Sequence, residues 1–138
     1  MINTAGLILD AWYDLLSGSI SVDVFKEDAP SDQEANYVVI SVESGTASNN
    51  KSNFSDEVVV ITDIVTMFGN NVDRSVAEGI DGEINALVLP TRQTGLTNPS
   101  GVQILNVKRD TFSYLIEADS SKKYYRKISR YTHTLFQQ

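Results

Sequence analysis

The chain has 138 residues, a formal net charge of −7, one histidine and no cysteine. That length supports one domain with a real core and is too short for two. The missing cysteines exclude a disulfide framework, a thiolate nucleophile and a cysteine zinc site. An apolar content of 41% with 21% charged residues is that of an ordinary globular domain, not of a disordered chain. Apolar runs of four or five residues are too short to span a membrane, and the start of the chain lacks the basic flank and long apolar run of a secretion signal. Neither a membrane partner nor export is expected.

In chain order, Asn3 or Thr4 caps a first helix whose apolar positions Leu7, Ile8, Ala11, Trp12, Leu15 and Leu16 lie on one face. Ser17-Gly18 stops it. A short strand from Val22 to Phe25 and an acidic turn containing Pro30 lead to a strand from Tyr37 to Glu43, where Val38, Ile40 and Val42 alternate with Tyr37, Val39 and Ser41. Residues 44–56, rich in Ser and Asn, read as the mobile tip of a long hairpin whose second arm is Glu57 to Phe68. The β-branched density of that arm favours a pleated surface over a helix.

Gly69-Asn70-Asn71 breaks the strand and offers a cap for a second helix, from about Val72 to Leu89. Val76, Ile80, Ile84 and Leu87 form its apolar stripe, with Asp73, Glu78, Asp81 and Glu83 mostly off it. Gly79 and Gly82 weaken this helix, and close packing against another element is one reason to tolerate them. After Pro90 and a turn-rich connection come a strand from Val102 through Glu117, a tight turn near Asp119, and a final strand from Tyr124 to Phe136. The order α-β-β-β-α-β-β fits a single α+β domain: a mainly antiparallel β-sheet with two helices packed on one face and a long hairpin.

Catalytic chemistry is not advertised. His133 has no second histidine to join it at a metal or in a relay, so it is expected to be structural or solvent-facing. Asp10 and Asp14 lie on the polar side of the first helix, where solvated charge is expected. The glycine-containing segment from Gly95 to Gly101 matches no phosphate-binding loop, because no strand precedes it directly and no helix follows. No enzyme activity, cofactor or metal site is expected.

Charge is divided along the chain. Residues 1–107 carry 15 acidic and four basic side chains, whereas residues 108–138 carry seven basic and three acidic ones. Basic residues interleaved with tyrosines in Lys122-Lys123-Tyr124-Tyr125-Arg126-Lys127-Ile128-Ser129-Arg130-Tyr131 are a pattern used to hold phosphates and stack bases. A single-strand nucleic-acid-binding module is therefore an alternative, and Lys127→Glu with Arg130→Glu would abolish such binding. The overall negative charge opposes it. Favoured instead is a contact between copies, with Lys122, Lys123, Arg126, Lys127 and Arg130 on the basic side and Asp73, Glu78, Asp81 and Glu83 on the acidic side.

The helix ending AWYDLLSG, the segment VDVFKEDAPSDQEANYVVISVESGTAS, the strand VVVITDIVTMFG, the helix NNVDRSVAEGIDGEINALV and the closing strand pair together resemble the tail-completion proteins of tailed bacteriophages. The likeness is to small neck or tail-terminator proteins of the lambda type, and it spans nearly the whole chain. It implies a structural virion protein at the head–tail junction, made in the host cytoplasm. Its members form rings, commonly hexamers, that end tail-tube polymerisation and join the tube to head-completion proteins; a head-side connector or stopper ring is the near alternative. The implied partners are further copies of the chain, the tail tube protein and the connector proteins. DNA would pass through the ring without specific binding. On the same resemblance, the hairpin tip with Ser48, Asn49, Asn50, Lys51, Ser52, Asn53 and Phe54 is the candidate contact with tube or connector.

Overall fold

The computed structural model of the protein describes residues 3–49, 54–90, 93–119 and 121–137. Asn3 caps the first helix, α1 (Thr4–Leu16), its side chain accepting the Gly6 amide, and Gly18 past the end takes a positive φ of 79° that suits glycine. Strand β1 (Asp23–Lys26) is followed by β2 (Tyr37–Asn49) and β3 (Phe54–Phe68), then helix α2 (Arg74–Val88), β4 (Val102–Ala118) and β5 (Lys123–Gln137). The five strands form one sheet in the order β1-β2-β3-β5-β4, antiparallel at every pairing except β1 with β2. Both helices cover one face, giving the expected two-layer α+β arrangement.

The core lies between those layers. Ile8, Trp12 and Leu16 from α1 meet Val38 and Ile40 of β2, Val58, Val60 and Ile64 of β3, and Tyr131 and Leu135 of β5. Ala77, Ile80, Ile84 and Val88 supply the α2 side. That stripe is rotated from the expected one: Val76 and Leu87 flank it, and Asp81, expected outside, is buried within it. The cap of α2 is Asp73, which accepts the Ser75 amide, in place of the Gly69-Asn70-Asn71 segment.

Two further expectations change. Strand pairing runs out to Ser48↔Ser55 and Asn49↔Phe54, so most of the supposed hairpin tip is ladder; residues 50–53 lie outside the described ones. The ladder persists because β3 pairs with β5 out to Ser55↔Phe136, so register with a third strand, not apolar content, extends the arm. Gly79 and Gly82 pack against nothing, since a Cβ at either would meet no atom within 4 Å.

Candidate assembly surfaces

The alternation of β5 decides where its basic residues go. Tyr125, Lys127, Ser129, Tyr131, His133 and Leu135 point toward the helices and are buried, whereas Tyr124, Arg126, Ile128, Arg130 and Thr132 lie on the sheet's open face. A lysine on the buried side needs a carboxylate, because burying an unpaired charge is prohibitive. Asp81 of α2 supplies it at 2.8 Å from Lys127 Nζ, with Glu78 at 2.9 Å. Arg109 of β4 reaches the same Asp81 at 3.1 Å and donates to Ser129 Oγ at 3.2 Å. Burial works against the Lys127 charge, but hydrogen bonds to Asp81 and Glu78 outweigh it and raise its pKa. Tyr114 and Lys127 both donate to Glu78 and hold that carboxyl below its usual value.

The open face carries a second set. Arg126 binds Asp63 and Glu117, and Arg130 Nε lies 2.6 Å from Glu43, the extra residue where β2 slips register against β3. Four of the seven basic residues in 108–138 are thus ion-paired inside one chain. Lys127, Glu78 and Asp81, expected on opposite sides of a contact between copies, meet each other within the domain. The other acidic candidates are also engaged locally: Asp73 caps α2, and Glu83 accepts the Ser21 amide and hydroxyl. Lys122 and Lys123 stand at the start of β5, without an ion-pair partner among the described residues. Tyr125 and Tyr131 lie in the core, which leaves Tyr124 as the one tyrosine of this strand on the open face, whereas single-strand binding stacks successive bases on successive aromatics.

His133 is structural. It is fully buried, its Nε2 accepting Trp12 Nε1–H at 2.7 Å and its Nδ1–H donating to the Val58 carbonyl at 2.8 Å. Burial lowers its pKa to about 4, so the ring is neutral near pH 7. Among the described residues no group of three or more His, Cys, Asp or Glu is arranged to hold a metal ion.

What the sequence reading missed is β4. Among the described residues, all the large hydrophobic side chains left exposed lie on this edge strand: Leu105, Phe112, Tyr114, Leu115 and Ile116, at 41–62% exposure. Phe112 and Tyr114 overhang the rim of α2, where Phe112 lies against Arg109 and Lys127 and Tyr114 donates to Glu78. A signal was present in TFSYLIEA, residues 111–118, a strand with one charge and apolar residues of both parities. Such a sequence suits a strand covered on both sides.

A solved structure described as the virion of a native gene transfer agent particle contains a chain that superposes on this one with a TM-score of 0.69. The two chains share a fold. The match covers 97% of this chain and 99% of the other at 13% identity, so the likeness runs the length of both domains while few side chains coincide. The sequence matches no family profile and resembles no curated protein at a significant level.

Proposed function

We propose that this chain is a structural virion subunit that assembles into a ring at the head–tail junction, ends the tail tube and joins it to the head-completion proteins. The observation that carries the reading is the end-to-end likeness of fold to a chain of a gene transfer agent virion. The exposed apolar edge of β4 supports it, because a long apolar edge left open in a soluble monomer invites aggregation, whereas an assembled subunit covers it. The role is architectural, not catalytic, and the far end of the β2–β3 hairpin is the part that reaches toward the tube or connector. DNA passes through the opening without specific contacts, as the acidic balance of residues 1–107 favours.

Tail tube protein polymerised with and without this chain tests the reading. Tubes of bounded length, each carrying a ring of the chain at one end by negative-stain microscopy, are the expected result. Tubes that grow equally long with the chain present, and carry none of it, would overturn the proposal. Rings found on the portal in place of the tube would move the subunit to the head side.

A further inference from the structure

Among the described residues the sheet has two free edges. There β1 pairs with β2 alone, and β4 with β5 alone. Their directions are opposite, since β1 runs with β2 and β5 while β4 runs against them. Two copies set side by side without inversion therefore place β4 of one antiparallel to β1 of the next, the pairing direction that adjoining strands accept readily.

The edges also lie at the same height. Reading across the sheet, one row runs Asp23, Tyr37, Val65, Arg126, Leu115, and another runs Lys26, Ile40, Thr62, Ser129, Phe112. The four residues of β1 are thus level with the uncovered 112–115 stretch of β4. A contact between edges at equal height adds no rise from copy to copy, the condition for a closed ring as opposed to an open helix.

Charge discriminates the edges once internal pairs are set aside. Beside β1, Asp23, Glu27, Asp28, Asp32 and Glu34 are all exposed, and Lys26 among them is taken by Asp10 at 3.1 Å. Along the β4 side, Lys108, Lys122 and Lys123 have no ion pair among the described residues, while Glu117 is held by Arg126, Asp110 accepts the Thr132 hydroxyl, and Asp119 accepts the Ser121 and Lys122 amides and the Tyr124 hydroxyl. A cleft of about 570 Å³ opens next to β1, lined in part by Tyr13, Ile20, Val22, Phe25 and Pro30. Ser17, Ser21, Asp23 and Gln33 also line it, so it has room for both apolar and polar side chains of an incoming β4.

We propose that the occupant of the β4 edge is a second copy of this chain, which receives β4 along its own β1 edge and acidic 27–34 turn, so that the sheets run on from subunit to subunit. This rests on the ring reading above and replaces α2 with the 23–34 segment as the acidic partner. Like charges facing each other across such a contact weaken it.

The absence of cysteine makes cross-linking a clean test. Asp23 and Leu115 are both exposed, so Asp23→Cys and Leu115→Cys leave the core untouched. With a short bismaleimide, the double variant should give a covalent ladder that ends at the ring number, and each single variant should remain uncross-linked. Lys122→Glu/Lys123→Glu and Asp28→Lys/Asp32→Lys chains should each associate roughly 100-fold more weakly, and mixing the two should restore alternating assemblies. Dimers from Leu115→Cys alone would mean that β4 meets β4 and would overturn the inference. Intact rings from which the double variant gives no ladder would overturn it too, while leaving the ring reading in place. A chain that stays monomeric even with tail tubes removes both.

Discussion

Tyr125, Lys127 and Ser129 of β5 project from the same side of the strand as Tyr131, His133 and Leu135, yet the two sets bury polar groups in opposite ways. Around His133 the cover is complete: Trp12 and Tyr131 close the site edge-to-face with ring centroids 4.9 Å apart, and the imidazole stays neutral with one bond given and one received. Around Lys127 the cover ends at the rim of α2, where Glu78 remains partly exposed, and full charges persist as a cluster of two cations and two carboxylates. A site closed on all sides by apolar groups favours the neutral form, whereas one beside water keeps ions if each finds a partner. The same sheet thus has a dry half that fixes the fold and a charged half that borders the exposed strand.

Breaking the charged half should have the largest effect. Asp81→Asn leaves Lys127 and Arg109 without their shared carboxylate and should cost about 3–5 kcal/mol of stability, read from urea unfolding. Replacing Asp81 with Leu and Lys127 with Met together should recover most of that loss, because no unpaired charge remains on Lys127 and Arg109, 22% exposed, can turn to water. Equal losses in the single and double variants would show that the cluster acts through packing and not charge. The cluster is internal, so either variant changes folding before it changes any contact between copies.

The dry half should report itself through pH. His133 titrates at about 4 when folded and near 6.5 when unfolded. Between those values the unfolded chain binds more protons, so stability is lost as pH falls through the window, by about 3 kcal/mol in total. The Glu78 carboxyl, held below its ordinary 4.5, adds its own loss only below that pH, so most of the His133 window lies above it on the pH axis. His133→Gln should flatten the upper window while leaving the lower one. An unchanged slope in the variant would assign the acid sensitivity elsewhere.

The element order was legible because each element announces itself locally: the α1 stripe around Trp12, the β-branched run of β3, and the Pro90 stop after α2. The buried cluster was not. Asp81 looks solvent-facing on a helical wheel, and its burial follows from a partner 46 residues away on another element. The parity of β5 was equally hidden, since Ile128 makes the open face look as apolar as the one holding Tyr131 and Leu135. Pairing between distant strands likewise carried the ladder through Ser48 and Asn49, where local composition argued for a loop. What is written in residue types was readable, and what depends on which element covers which was not.

Glycines separate the inner and outer surroundings of α2 on a finer scale. Gly95 packs so closely under the end of that helix that a Cβ would lie 1.9 Å from the Leu87 carbonyl oxygen, so Gly95→Ala should destabilise by about 1–3 kcal/mol. Gly79 faces open space on the outer side, where a methyl group meets nothing and helix propensity alone acts. Gly79→Ala should therefore stabilise the chain by about 0.5–1 kcal/mol, visible as a Tm higher by a few degrees. The edge contact inferred between β4 and β1 does not use this helix face, so assembly of the Gly79→Ala chain should be unchanged. A more stable chain that forms fewer rings would instead place a neighbour's backbone against α2 and move the contact off the sheet edges.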